Sequence, residues 1–197
     1  MDSATRILIF AKAPQPGFAK TRLIPLLGAA AAADLAHRLL NRTLASAIDA
    51  RLGPVELCVT PPWADPAWQR VTIPAQVQVT TQGEGDLGER MAQAVRRCSG
   101  PLLLIGTDCV EMSAELLREA AAALQSVDAL LYTTADGGYA VLGLHTFHPS
   151  LFADMAWSTA TVAEETIDRI HSLGWSLHLG GPLHDVDEPQ DWLRSAG

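Results

Sequence analysis

The feature that most restricts the fold of this chain is a regular alternation of short apolar runs with longer segments of helical periodicity. Seven runs are typical of buried strands: residues 6–11, 55–60, 77–81, 102–105, 129–132, 139–144 and 175–179. Parallel neighbours need crossover connections, which are usually helices. The alternation therefore predicts an α/β protein, a three-layer α/β/α sandwich around a mostly parallel mixed sheet.

The intervening segments carry helix signals. After Gly28, leucines recur at helical spacing. Asp86 with Glu89 three residues later is typical of a capping box, and Ser113 of another N-cap. A further helix is expected before Gly174. An ADGG turn joins the two strands at 129–132 and 139–144, and Asp187 is a candidate N-cap ahead of Pro189. No repeat or linker divides the 197 residues, so we expect one domain, 1–197.

Composition and charge exclude several classes of protein. Three isolated cysteines indicate neither a disulfide framework nor a zinc site. No segment resembles a signal peptide or a membrane span, so we expect a cytoplasmic protein. The net charge is −8, but residues 1–50 hold six Lys or Arg against three acids. This distribution disfavours nucleic acid and suits a local anion site facing carboxylates.

The loop that follows the first strand concentrates positive charge. KAPQPGFAKTRL places Lys12, Lys20 and Arg22 close together, and Gly17 permits a close backbone approach. Ammonium and guanidinium groups beside exposed amides suit a diphosphate. The glycine and lysine are not adjacent, so this is not a Walker loop. The alternative is an ordinary solvated loop.

Aspartates follow several strands, where ligands of open α/β sheets collect. Asp108 comes directly after a buried run in GTDC, and Asp185 and Asp187 are similar candidates in HDVDEP. Their oxygens suit Mg²⁺ or Mn²⁺, which bridge phosphates. Asp136, in ADGGY, is either a turn residue or a group that orients or deprotonates an acceptor hydroxyl. For each of these aspartates the alternative is a structural role as the cap of a turn or a helix.

Two further patterns invite a functional interpretation. Gly83, Gly85 and Gly88 spell GxGxxG before a helix, as a dinucleotide site would, but Glu84 and Asp86 place negative charge where a pyrophosphate would lie. We therefore disfavour NAD binding. Trp157, in WST, is a candidate for lining a sugar site, with burial in the core as the alternative.

Six motifs in fixed order span most of the chain: KAPQPGFAKTRL, GDLGERM, GTDC, ADGGY, WST and DVDEPQDW. They resemble a bacterial family catalogued as a domain of unknown function. Its members are described as nucleotide-diphospho-sugar transferases of the GT-A fold, some as glycosyltransferases of the arsenosugar-biosynthesis type. The family is also similar to nucleotidyltransferases that build molybdenum and deazaflavin cofactors. The resemblance implies a GT-A-like fold.

The resemblance also implies roles by position. The donor side would comprise Lys12, Gly17, Lys20, Arg22, Gly88 and Arg90; the metal ligands Asp108 and Asp187; and the acceptor side Asp136 as the catalytic residue, with Gly137, Gly138, Tyr139 and Trp157. The chain departs from the family pattern at Val110, where proline usually follows GTDC, at residues 131–135 and at Ala140. These departures flank the acceptor side.

The sequence thus predicts a metal-dependent glycosyltransferase that uses a nucleotide-diphosphate sugar, a small-molecule acceptor and Mg²⁺ or Mn²⁺. One alternative is a nucleotidyltransferase, in which the same site holds a nucleoside triphosphate and pyrophosphate leaves. Another is a non-catalytic nucleotide-binding module, which the departures at the acceptor side favour.

Overall fold

A single mixed sheet forms the centre of the computed structural model, which describes residues 4–187 and 189–195. Its seven strands lie in the order β3-β2-β1-β4-β6-β5-β7. Their bounds are β1 Arg6–Lys12, β2 Val55–Thr60, β3 Val77–Thr81, β4 Leu102–Ile105, β5 Ala129–Thr133, β6 Tyr139–Leu144 and β7 Leu177–Leu179.

The sheet is parallel except at β6, which runs antiparallel to both of its neighbours. In the centre Ile9 of β1 lies opposite Leu57 of β2 and Ile105 of β4. The predicted turn joins β5 to β6 as a hairpin, with the Thr134 amide donating to the Gly138 carbonyl at 2.9 Å. The mostly parallel mixed sheet predicted from the sequence is confirmed.

Six α-helices occupy the described part of the chain; the first five lie in connections between strands, and α6 follows β7. Their bounds are α1 Ile24–Leu27, α2 Ala29–Ala50, α3 Leu87–Arg96, α4 Ala114–Leu124, α5 Val162–Ser172 and α6 Pro189–Ser195. Short 3₁₀ turns lie at Thr21–Leu23, Pro66–Trp68 and Pro149–Leu151. None of the described helices is long and apolar enough to cross a membrane.

The two faces of the sheet are covered by different helices. On one face α2 and α4 pack on the sheet, where Leu40, Leu44 and Leu117 belong to the same apolar cluster as the strand residue Ile9. On the other face the side chains of α3 and α5 pack against the strands; they include Met91 and Ile170. The predicted α/β/α sandwich is therefore confirmed, because an apolar core lies on each side of the sheet.

A few element ends differ from the expectation. β7 begins at Leu177, two residues late, because the Trp175 amide still donates to the Ile170 carbonyl and closes α5. β1 is one residue longer and ends at Lys12. The described part of α6 begins at Pro189, and Glu188 lies outside the described residues, so the N-cap expected at Asp187 stays a prediction.

Candidate functional site

A cavity of about 670 Å³ opens where β1, β4 and β5 end and β6 begins. Carboxyl ends of parallel strands are where ligands of such sheets collect. Ten of the predicted site residues line it: Lys12, Lys20, Arg22, Arg90, Asp108, Asp136, Gly138, Tyr139, Trp157 and Asp187. Gly17, Gly88 and Gly137 are not among the lining residues.

At one end of the cavity a buried ammonium group lies between two carboxylates. Lys20 Nζ is 2.6 Å from Asp108 Oδ1 and 2.7 Å from Asp187 Oδ1, and only 4% of the lysine side chain is exposed. Burial opposes the charge of Lys20, but the two carboxylates outweigh it and raise the pKa of this lysine. The structure thus brings together three residues that are up to 167 positions apart.

The segment that carries Asp187 is fixed by the loop after β4. The Val186 amide donates to the Asp108 carbonyl at 3.1 Å, and the Val110 amide donates to the His184 carbonyl at 3.2 Å. A proline at position 110, which the family pattern favours, has no N–H to donate. The valine therefore contributes to holding the aspartate segment in place.

Asp185 also lines the cavity. From the sequence it was a candidate metal ligand, but it was not among the predicted ligands Asp108 and Asp187. Burial, together with the negative charges of Asp108 and Asp187, raises the pKa of Asp185 to about 7. Its Oδ1 is buried without a hydrogen-bond partner among the described residues. The local sequence could not indicate that Asp185 is buried. This residue pairs with Cys109, which lies far away along the chain.

The carboxylates at this end of the cavity are oxygen ligands of the kind that divalent cations prefer. Among residues 4–187 and 189–195, no three His, Cys, Asp or Glu side chains form a ready metal site. Mg²⁺ and Mn²⁺ sites at phosphates, however, often use one or two carboxylates and complete the shell with phosphate oxygens and water. Asp108, Asp187 and the unpartnered oxygen of Asp185 match that chemistry.

The other cations of the opening loop lie along the same cavity. Lys12 is the last residue of β1, and its side chain is exposed. Arg22 lies in the 3₁₀ turn that follows Lys20. Gly17 adopts a φ of +84° with open space where a Cβ would be, so the loop needs it for its backbone conformation.

Arg90 and Gln82 hold the loop after β3 against the end of β1. The Gln82 amide nitrogen donates to the carbonyls of Ala11 and Cys58 at 3.1 and 3.0 Å. The Arg90 Nε donates to the Gly85 carbonyl at 2.9 Å, and its Nη1 donates to Gln82 Oε1 at 3.4 Å. Gln82 also lines the cavity, a role that no sequence pattern indicated.

The GxGxxG segment does not offer a free helix N-terminus. Asp86 accepts a hydrogen bond from the Glu89 amide at 2.8 Å, and Glu89 accepts one from the Asp86 amide at 2.8 Å. The predicted capping box is confirmed. These carboxylates use the amides that a pyrophosphate would need, which agrees with our reason for disfavouring NAD.

Asp136 has the turn role considered from the sequence, while its catalytic role stays a prediction. Its Oδ1 accepts from the Thr134 hydroxyl at 2.6 Å and from the Gly138 amide at 3.1 Å, so it caps the turn. The residue also lines the cavity. Gly137, at φ +87°, packs so closely that a Cβ there would lie 2.0 Å from the Ala160 carbonyl oxygen.

Two aromatic side chains, Tyr139 and Trp157, line the part of the cavity where the acceptor was predicted to bind. The Tyr139 hydroxyl and the Trp157 indole nitrogen are both buried and have no partner among the described residues. Burial raises the pKa of Tyr139 well above its usual range, so the hydroxyl stays protonated. Gly88 lies against this wall, since a Cβ there would come within 2.4 Å of Trp157 Nε1.

Comparison with known proteins identifies the family. Residues 43–159 match the family described as "Uncharacterized protein conserved in bacteria (DUF2064)". The chain belongs to this DUF2064 family. The resemblance carried by the six motifs is thereby confirmed. No protein with a curated description matches the chain.

Solved structures agree with this assignment. A "putative nucleotide-diphospho-sugar transferase" from Desulfovibrio desulfuricans G20 is 30% identical to the DUF2064 chain, with a TM-score of 0.88 over 96% of this chain and 85% of that one. Rv0371c from Mycobacterium tuberculosis H37Rv, solved as a manganese complex, is 16% identical, with a TM-score of 0.59 over 98% and 97%.

The same architecture occurs in a nucleotide-handling enzyme of lower identity. The 4-diphosphocytidyl-2C-methyl-D-erythritol synthase from Anaerococcus prevotii DSM 20548 is 11% identical, with a TM-score of 0.59 over 98% of this chain and 95% of that one. At such identities the likeness concerns the fold alone. The GT-A-like fold expected from the motifs is therefore confirmed.

Proposed function

We propose that this DUF2064 protein is a metal-dependent glycosyltransferase that uses a nucleotide-diphosphate sugar as donor. The observation that carries the proposal is the contact of Lys20 with Asp108 and Asp187 at the end of the cavity. Anion-binding and cation-binding groups meet there at one point, as a metal-bound diphosphate requires. The name given to the relative from Desulfovibrio desulfuricans supports the same class of donor.

The donor's diphosphate would lie along the opening loop. Lys12 and Arg22 line the cavity on this side, one as an ammonium point charge and the other as a planar guanidinium. Both would stabilise the negative charge that develops on the leaving diphosphate as the bond to the sugar breaks. Arg90 of α3 also lines the cavity and would face the nucleotide.

Asp108 and Asp187 would hold Mg²⁺ or Mn²⁺, with phosphate oxygens and water completing the shell. A bound divalent cation supplies Lewis-acid stabilisation of the leaving group, on the order of several kcal/mol. The carboxylates themselves provide hard oxygen ligands that are already held by the fold, through the backbone bonds between Asp108, Val110 and residues 184–186.

The acceptor would enter beside Asp136. Both hydrogen bonds to this carboxylate end on Oδ1, so Oδ2 is the oxygen we expect to face an acceptor hydroxyl. The hydroxyl oxygen forms a bond to the anomeric carbon, the bond from that carbon to the diphosphate oxygen breaks, and the proton passes to Asp136. The products are a glycoside and a nucleoside diphosphate.

The test is turnover of nucleotide sugars with Mn²⁺, with the released nucleotide identified. Asp108→Asn should lower turnover by about a hundredfold or more, because a metal ligand is lost while the shape is kept. Asp168→Asn, an exposed carboxylate of α5 outside the cavity, is the matched control and should be unaffected. Normal turnover by Asp108→Asn would reject the assignment.

A nucleotidyltransferase is the second candidate, because the fold is shared with the cytidylyl-handling synthase from Anaerococcus prevotii. The released product separates the two: inorganic pyrophosphate from a nucleoside triphosphate, or a nucleoside diphosphate from a nucleotide sugar. Ligands that raise the melting temperature without any product, under any metal, would instead indicate a non-catalytic nucleotide-binding module.

A further inference from the structure

In the structure the ammonium group of Lys20 lies between the carboxylates of Asp108 and Asp187. Lys20 Nζ contacts one oxygen of each carboxylate, at 2.6 and 2.7 Å. These are the same two side chains that the proposed function assigns to the metal. A divalent cation bound to those oxygens and the ammonium group cannot share the same space, since like charges at this distance repel strongly.

The backbone at Lys20 is arranged for this contact. Its φ of 49° and ψ of 45° lie in the left-handed region, which is uncommon for a side chain of this size. The conformation places the ammonium group inward, with 4% of the side chain exposed, whereas Lys12 on the same loop is exposed. Strained backbone of this kind is concentrated at functional sites.

We infer that Lys20 occupies the metal position in the free protein and is displaced from it when the metal binds. This inference rests on the metal of the proposed function. A displaced ammonium group would lose both of its counter-ions, which is unfavourable unless an anion replaces the carboxylates. The donor's diphosphate supplies that anion at the same loop. Metal and diphosphate therefore bind with positive coupling, and the metal alone binds weakly.

Lys20→Met tests the first half of this inference, with Mn²⁺ alone as the probe and its free concentration followed by electron paramagnetic resonance. Without the competing charge, Mn²⁺ should bind the variant about tenfold more tightly than the wild-type protein, or better. Arg38→Met removes an exposed cation of α2 that does not line the cavity, and it should leave the affinity unchanged. Unchanged or weaker Mn²⁺ binding by folded Lys20→Met would overturn the inference.

The wild-type protein provides a second test that does not depend on a variant. Lys12 and Lys20 are the only lysines of the chain, so amine acetylation followed by mass spectrometry reports on each. Acetylation of Lys20 should be slow without metal and should increase about tenfold as Mn²⁺ displaces it, while Lys12 reacts equally in both conditions. If Lys20 labelling does not rise at the highest Mn²⁺ concentration that leaves the protein folded, the inference fails.

Neither measurement depends on turnover, so the two proposals fail separately. Displacement of Lys20 by Mn²⁺ in a protein that transfers no sugar would keep the inference and reject the glycosyltransferase. Sugar transfer with no effect of Mn²⁺ on Lys20 would reject the inference alone. Tight Mn²⁺ binding by the wild-type protein in the absence of any diphosphate would contradict the coupling.

Discussion

Asp136 shows how one side chain can fix a backbone and still face a cavity. The Thr134 hydroxyl and the Gly138 amide both donate to its Oδ1. This is the usual local bonding of an aspartate in a turn. Because the turn uses one oxygen, the other is available for the catalytic role proposed above, and the turn role and the proposed catalytic role can be tested separately by substitution.

Asp136→Asn should retain the turn and lose the chemistry. An asparagine oxygen still accepts from Thr134 and Gly138, so we expect the free energy of unfolding to change by less than about 1 kcal/mol. The amide cannot take a proton, so kcat should fall by roughly a hundredfold or more, with little change in donor affinity. Urea unfolding and donor titration check the two halves. A variant with normal kcat would remove Asp136 from the mechanism.

Gly88 illustrates a residue whose position follows from packing. Motif position suggested that it borders the nucleotide, yet the structure places it under the loop between β6 and α5. A Cβ would lie 2.4 Å from both the Phe152 carbonyl oxygen and Trp157 Nε1. Glycine is thus required for close contact between α3 and this loop. Its proposed contact with the nucleotide stays a prediction.

At the scale of elements, helix α3 determines how the cavity is bordered. Its first turn is closed by Asp86 and Glu89, and Arg90 follows directly and reaches back to the Gly85 carbonyl. The helix therefore presents a guanidinium to the cavity instead of a free N-terminus. The position of Arg90 depends on a stable first turn.

Asp86→Ala should destabilise α3 and, through it, the protein. Loss of the capping box leaves the first-turn amides without their side-chain acceptor, and the expected cost is about 1 kcal/mol. Asp86→Asn keeps an N-cap oxygen and should cost much less. Chemical denaturation of the two variants measures the difference. Equal stability of Asp86→Ala and wild type would show that the box contributes nothing.

At the scale of the whole molecule, much of the fold could be predicted from local patterns. Apolar runs and helical spacing located seven strands and four helices, because burial imposes a periodicity on the sequence. The motifs also predicted that Lys20 and Asp108 belong to the same site. The environments of Asp185 and Gln82 could not be predicted, because they arise from long-range contacts. Gln82 bonds to Ala11, 71 positions away, and Asp185 pairs with Cys109.

The buried thiols give the molecule a stability that should decline at alkaline pH. Burial raises the pKa of Cys58 and of Cys109 from 9.0 to about 11. Both thiols therefore stay protonated in the native state at a pH where the unfolded chain already releases their protons. Stability falls with rising pH whenever the unfolded state holds fewer protons. The contribution of each thiol is complete below pH 9.0 and is lost as the pH rises toward about 11.

The paired variant Cys58→Ala, Cys109→Ala should show a flatter pH dependence than the wild-type protein. Each thiol shift corresponds to roughly 2 kcal/mol of unfolding free energy lost by about pH 10.5. Urea midpoints of both proteins at about pH 8 and pH 10.5 measure this change, and comparing the slopes removes the constant cost of the substitutions in the core. Parallel slopes would mean that these thiols do not titrate differently in the native and unfolded states, and another group would then have to account for any alkaline loss.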